Sequence, residues 1–173
     1  MPAELPHNTA QPDESVEFMT RHEPTPHEAE SEQMSSIFSR IVNGELPGHV
    51  LWQDDLCYSI LTLKPLREGH VLLIPRAEID NWDEIPEGIT AHLFITGQKI
   101  SRILRSLFPC QKIGVMIAGL EVRHAHIHLF PINALTDLDF SLAHERSDEA
   151  QQVTAERIRD ALSAAGYAEA TRA

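Results

Sequence analysis

The chain has 173 residues and a formal net charge of −12, with 14 basic against 26 acidic side chains. Its length corresponds to about one domain, and its acidity disfavours binding to a nucleic acid polymer or an anionic membrane. The sequence shows neither the roughly 18 consecutive apolar residues of a membrane-spanning helix nor a signal peptide, so we expect a cytoplasmic protein. Cys57 and Cys110 form no C-x-x-C motif, which argues against a disulfide framework and a cysteine zinc site.

Residues 1–33 form an acidic, proline-rich segment. They contain five of the 11 prolines and eight acidic residues against one basic residue, Arg21. Because ordering a backbone costs about 1 to 2 kcal/mol per residue and few apolar residues are present to offset it, we predict a disordered tail. Residues 34–173 would form the folded domain with a charge of only −5. Either the tail is a true extension of the protein, or translation could begin at Met34.

Apolar spacing in the remaining sequence predicts an α+β fold, with an antiparallel sheet of about five strands, one main helix and short flanking helices. The elements in chain order are a short helix at 36–42, strands at 49–53, 57–63 and 70–75, the main helix at 89–107, strands at 112–119 and 124–131, and a polar helix at 148–162.

Three alternating histidines, His124, His126 and His128, occupy the last predicted strand. Side chains alternate between the faces of a strand, so the three imidazoles should share one face while the residues between them enter the core. Packing does not explain such a row, because each ring has two nitrogens that need partners. Two chemistries could use it: two neighbouring histidines could bind one metal ion with further ligands, or a neutral imidazole could act as a nucleophile.

The sequence around this row resembles the histidine triad (HIT) superfamily over about residues 36–131. The row fits the pattern His-φ-His-φ-His-φ-φ, where φ is an apolar residue, and companion segments stand in the family's order and spacing: Ser36-Ile37-Phe38, Gly44-Glu45-Leu46-Pro47, and Pro65 followed by Gly69 to Pro75. The resemblance implies a sheet-plus-helices protomer, usually a homodimer, that binds nucleotides and cleaves at the α-phosphate. Residues 34–173 would then be a HIT domain with a C-terminal helical extension.

The resemblance also implies a role for each histidine. His126 matches the nucleophile, which would form a nucleotidyl-histidine intermediate that water then hydrolyses. His128 matches the residue that holds the phosphate and the leaving group, and His124 matches the one that orients its neighbour. A third histidine in place of the glutamine of transferases favours hydrolysis, of a nucleoside phosphoramidate or a dinucleotide. A nucleotidyl transferase, a nucleotide- or partner-binding module with little activity, and a metalloenzyme that uses His124 and His126 remain alternatives.

Four departures from the family pattern bear on the prediction. Zinc-binding members have cysteines where this chain has Ser36 and Ser39, and a histidine where it has Glu78, so we predict neither metal nor cofactor. The ribose-binding Asp-φ-Asn-Pro is replaced by the run from Thr62 to Pro65, which puts nucleoside specificity in doubt. Glu121 replaces a hydroxyl residue near the leaving group; it could pair with an arginine, protonate the leaving group or simply face solvent. The loop before the triad lacks an amide for the phosphate.

The predicted substrate-binding residues form three groups. They are an apolar wall for the base (Ile37, Phe38 and Ile41), the replaced ribose strand (Thr62, Leu63 and Lys64), and the loop before the triad (Gly119, Glu121, Val122 and Arg123). Lys64, Arg76 and Arg123 would supply positive charge to the phosphate, and His70 is interpreted as a structural hydrogen-bonding residue. The helix at 89–107 is the predicted dimer interface.

Overall fold

The computed structural model describes residues 35–170. The predicted disordered tail, residues 1–33, lies outside the described residues. Within them, the order of helices and strands follows the prediction, and no helix is long and apolar enough to cross a membrane.

Five antiparallel strands form one sheet in the order β1-β2-β3-β5-β4. The strands are β1 (Val50–Gln53), β2 (Cys57–Leu61), β3 (Val71–Pro75), β4 (Lys112–Ile117) and β5 (Ile127–Ile132). All residues of β2 and β3 are buried, because both faces of the sheet are covered at its centre.

Two helices cover one face of the sheet. Helix α2 (Glu87–Leu107) and helix α3 (Asp148–Ala164) pack with side chains such as Leu73 and Leu129 in the larger apolar cluster. Helix α2 makes this contact through a stripe of apolar residues at helical spacing, all of which lie in the cluster or pack against it: Ile89, Leu93, Ile100, Leu104 and Leu107. The α+β fold with an antiparallel five-stranded sheet is confirmed.

The short helix α1 (Ile37–Val42) lies against the opposite face. Its N-cap is Ser36, whose hydroxyl accepts a hydrogen bond from the Ser39 backbone N–H at 3.2 Å. The chain leaves the helix through Gly44, whose φ of +77° is accessible to glycine without strain. Because Phe38 and Ile41 pack against Ile60, Leu72 and Ile74, this face has a second, smaller apolar cluster.

Candidate active site

A groove of about 270 Å³ opens between α1 and strands β2, β3 and β5, on the face of the sheet against which α1 packs. It brings together ten of the predicted residues: Ile37, Phe38, Ile41, Thr62, Leu63, Lys64, Glu121, Val122, His126 and His128. Sequence reasoning missed Gly48, Ile60, Leu61 and Leu72, which also line it. Two of these, Ile60 and Leu72, could have been found from strand pairing. Ile60 pairs with Leu72 and Leu72 pairs with His128, and residues paired across adjacent strands point to the same face of the sheet.

The histidine row does not lie wholly on a strand, contrary to the prediction of a strand at 124–131. Strand β5 starts at Ile127, and the backbone N–H groups of His124 and Ala125 bond outside the sheet. His124 donates to the Val122 carbonyl at 2.8 Å and Ala125 to the Ile79 carbonyl at 2.7 Å. The alternation nevertheless persists. The His126 and His128 rings lie 4.8 Å apart between centroids, and both line the groove.

His126 has a defined tautomer. Its Nδ1 lies 2.8 Å from the His124 carbonyl, and since a carbonyl only accepts, Nδ1 carries the proton and Nε2 carries the lone pair. Burial lowers the pKa of His126, although the bond to His124 and the charge of Glu121 oppose this shift. The edge of Phe38 packs on the ring at 4.9 Å. His126 is therefore a neutral imidazole, suited to nucleophilic attack.

His70 sets the opposite tautomer on His128. The Leu66 N–H donates to His70 Nδ1 at 3.1 Å, so the proton of neutral His70 is on Nε2, which lies 3.0 Å from His128 Nδ1. His128 thus accepts at Nδ1 and carries its own proton on Nε2. Burial and the neighbouring imidazoles lower the pKa of His70 to about 3 and that of His128 to about 4. His70 therefore keeps His128 neutral with its proton on Nε2, and this N–H donor lies next to the ring of His126 and its lone pair.

His124 is fully buried and does not line the groove. Its Nε2 donates to the Pro75 carbonyl at 2.8 Å, and its Nδ1 accepts from the Ser36 hydroxyl at 2.6 Å. Burial lowers its pKa, which favours this neutral form. Because its own carbonyl holds His126, a chain of hydrogen bonds runs from the start of α1 to the candidate nucleophile.

Comparison with known proteins places this arrangement in a family. The model described as "HIT domain" matches residues 43–135, which is more than half of the chain and includes all three histidines. The chain belongs to the HIT family. A zinc-bound histidine triad protein from Mycobacterium smegmatis has a similar structure, with a TM-score of 0.65 and 26% identity over 79% of this chain and 99% of that one.

Some relatives of this HIT protein are named for activities, among them an adenylylsulfatase and a monophosphoramidase. The Arabidopsis thaliana adenylylsulfatase is 29% identical over 60% of this chain and 55% of its own length, so the match spans about half of that relative. The Candida albicans adenosine 5′-monophosphoramidase is 28% identical over 56% of this chain and 70% of its own length.

The zinc site of some HIT proteins does not fit the corresponding residues here. Ser36 Oγ and His124 Nδ1 are only 2.6 Å apart, whereas two atoms that bind one zinc ion at about 2 Å each lie more than about 3 Å apart. The Glu78 carboxylate accepts the Ser36 backbone N–H at 3.0 Å, and the Ser36 hydroxyl accepts from Ser39 N–H. Serine hydroxyls also lack the negative charge of cysteine thiolates. A hydrogen-bonded cluster thus holds α1 to the triad.

A second cluster, Asp54, Cys57 and His92, has potential ligand atoms within 4.8 Å of one another. The Asp54 carboxylate accepts from the Trp52 indole, from two backbone N–H groups, from the Cys57 thiol and from His92. These bonds hold its pKa well below the usual range despite its partial burial. The carboxylate therefore organises the β1–β2 turn, and its lone pairs are already used.

The charged residues near the groove are arranged differently from the prediction. Arg76 donates to the Asp54 carbonyl at 2.6 Å and stacks over Tyr58, so it neither lines the groove nor pairs with Glu121. Arg123 is exposed outside the groove lining, and Gly119 lines a neighbouring cleft. Among the described residues, Glu121 joins no ion pair. Within residues 35–170, Lys64 is the one lysine or arginine that lines the groove.

Proposed function

We propose that this HIT protein is a phosphohydrolase that cleaves nucleoside 5′-phosphate derivatives at the α-phosphate and releases an amine or an acid anion. The observation that carries this proposal is the complementary pair of tautomers: an Nε2 lone pair on His126 beside an Nε2–H on His128. The names of the two relatives, an adenylylsulfatase and a monophosphoramidase, support the same class of bond, because both describe an adenosine phosphate derivative.

In the first step, the His126 Nε2 lone pair attacks the α-phosphorus. A nitrogen–phosphorus bond forms, and the bond to the leaving group breaks; the leaving group departs with the electron pair and, if it is an amine, takes a proton from water. The His124 carbonyl accepts a hydrogen bond from His126 Nδ1–H and stabilises the positive charge that develops on the ring. His128 Nε2–H donates to a phosphoryl oxygen that gains negative charge.

In the second step, water attacks the same phosphorus atom. The nitrogen–phosphorus bond breaks and its electron pair returns to His126 Nε2. The attacking water loses one proton to solvent and keeps the other, so the nucleoside monophosphate leaves as its monoanion. The third triad position supports water as the acceptor, since it is His128 and not the glutamine of the transferase branches.

The groove has an apolar half and a polar half, as a nucleotide requires. Phe38, Ile41 and Leu72 offer a surface on which a base can stack. On the other side Thr62 offers one hydroxyl and Lys64 an ammonium, where a carboxylate would hold both ribose hydroxyls in related proteins. We therefore expect weaker discrimination at the sugar than a two-acceptor carboxylate gives.

The test is a mass spectrometric search for the covalent intermediate. The protein would be mixed with adenosine 5′-monophosphoramidate, quenched in base and digested, and an adenylyl group should appear on the peptide that contains His126. His126→Ala should lose the adduct and at least about a thousandfold of turnover. Wild-type turnover by His126→Ala would contradict the assignment, and AMP binding without turnover would favour a binding module.

We also infer a homodimer through the exposed face of α2 and the edge strand β4. Phe94, Ile95 and Val115 on these elements expose about half of their side-chain surface, at 49%, 58% and 53%. A neighbouring apolar groove of about 440 Å³ continues this face, and such a patch is typical of a protein contact. Multi-angle light scattering should give twice the chain mass for the wild type and a monomer for Val115→Lys.

A further inference from the structure

The β2–β3 loop, residues 62–70, carries the polar half of the groove. Thr62 and Lys64 lie on this loop, and both line the groove. The rest of the lining comes mainly from α1 and the sheet, which are held by the smaller apolar cluster. The way in which the loop is fixed therefore decides where its polar groups lie relative to a bound sugar.

Residues 137–157, which we call the C-terminal clamp, hold this loop from outside the matched HIT domain. The buried Gln151 of α3 donates from Nε2 to the Thr62 carbonyl at 2.7 Å. The Thr62 backbone N–H donates to the His70 carbonyl at 3.2 Å. Both backbone groups of Thr62 are thus paired, and Gln151 supplies one of the two partners.

Further contacts tie the clamp to the loop along its length. Glu68 accepts a hydrogen bond from Arg157 at 3.2 Å, and its Oε1 lies 3.1 Å from the Thr154 hydroxyl, whose one proton it shares with the Ala150 carbonyl. Three more contacts are the Lys64–Glu145 ion pair at 3.7 Å, the hydrogen bond from His144 N–H to the Pro65 carbonyl at 3.4 Å, and the Arg67–Asp137 ion pair. The family model ends at residue 135, so the clamp lies beyond the sequence that defines the domain.

The clamp is separate from the partners of the candidate nucleophile. His126 is held by the His124 carbonyl and by Phe38, and neither residue belongs to the clamp or to the loop. The loop and the clamp do contact His128, through Leu66 and His70 and through Phe140. The side chain of Gln151 bonds to none of these three residues but to Thr62, at the other end of the loop. Loosening the loop at Thr62 should therefore alter binding of the sugar more than reactivity at phosphorus.

We propose that the C-terminal clamp is a specificity element, with Gln151 as the positioning residue that fixes Thr62 for recognition of the ribose hydroxyls. This inference rests on the proposed function, because it takes a nucleotide as the ligand. Residues 137–157, outside the matched domain, then control which sugar is bound. The residues from Thr62 to Pro65, which replace the ribose-binding motif, do not determine this selectivity by themselves.

The test compares Gln151→Met, which keeps the side-chain length but loses the donor, with Gln152→Met. Gln152 is the matched control, because it lies next in α3 and bonds only within the helix, to Glu156 at 2.6 Å. Calorimetry would give the Kd of AMP and of 2′-deoxy-AMP, and hydrogen exchange would follow the amides of residues 62–70. Turnover of the phosphoramidate would be measured at saturation.

We expect Gln151→Met to weaken AMP binding by about tenfold. This factor corresponds to the loss of about one hydrogen bond between the Thr62 hydroxyl and a ribose hydroxyl. The ratio of the two Kd values should fall towards one, loop exchange should rise, and kcat should stay within about threefold of wild type. Glu68→Ala removes a half-exposed partner of the clamp and should change the same quantities in the same direction by a smaller factor. Gln152→Met should resemble wild type.

A lower melting temperature for Gln151→Met with an unchanged ratio of Kd values would show that the clamp only stabilises the fold, and would overturn the proposal. Failure of the wild type to bind AMP would overturn it as well. If the wild type binds AMP with the expected variant effects but turns over no phosphoramidate, the proposed hydrolase fails while the role of the clamp in nucleotide recognition stands.

Discussion

The replacement Ser36→Ala tests whether hydrogen bonds hold α1 to the triad. The Ser36 hydroxyl caps the helix by accepting from Ser39 N–H and donates to the buried His124 Nδ1. Loss of an N-cap costs about 1 kcal/mol, and a buried imidazole nitrogen left without its donor costs about 1 to 3 kcal/mol more. The free energy of unfolding should therefore fall by about 2 to 4 kcal/mol.

Urea denaturation followed by tryptophan fluorescence measures this difference. Ser36→Thr, which retains a capping hydroxyl, should recover most of the loss. Ser39→Ala is the matched control, since the Ser39 hydroxyl lies 3.4 Å from the Ser36 hydroxyl and supplies neither the helix cap nor the bond to His124. A Ser36→Ala protein within about 0.5 kcal/mol of wild type, or equal to Ser39→Ala, would refute the reasoning that these hydrogen bonds stabilise the site.

Three other predictions follow from the histidines and the serine cluster. Burial lowers the pKa values of His70 and His128 from 6.5 to about 3 and about 4, so below pH 6.5 the unfolded chain binds more protons than the folded chain. As the pH falls from about 6 to about 4, the free energy of unfolding should therefore fall by about 1.4 kcal/mol per pH unit for each histidine. Urea titrations that give the same free energy of unfolding at every pH would contradict this. His70→Phe removes the donor that sets the His128 tautomer and should lower kcat by about 10- to 100-fold, with partial rescue in His70→Asn; single-turnover rates equal to wild type would disprove the role. Dialysis against EDTA should leave the melting temperature and the activity unchanged, because the side chains around Ser36 and His124 do not fit zinc. Differential scanning fluorimetry would measure the melting temperature. A stoichiometric metal found by elemental analysis would contradict the prediction.

Sequence periodicity was enough to predict the layers of the fold because it reports burial directly. The apolar runs of β2 and β3 match strands that are buried on both faces, and the apolar stripe of α2 matches one face of a packed helix. The predicted strands at 57–63 and 112–119 were too long, since the structure ends them at Leu61 and Ile117. Their extra residues belong to the loops that border the groove.

The chemical identity of the site was also readable along the chain. Three histidines at alternate positions of an extended segment point to the same side, so their proximity could be predicted from the sequence. The segments around them identified the family and most of the groove lining. The tertiary structure alone decided the protonation pattern, because His70 lies 58 residues from His128 and Ser36 lies 88 residues from His124. It also directed Arg76 to Asp54 and away from the groove, and it brought Gln151 to Thr62. Which tautomer an imidazole adopts, and which charge reaches a pocket, depend on distant hydrogen-bond partners that only the folded chain brings together.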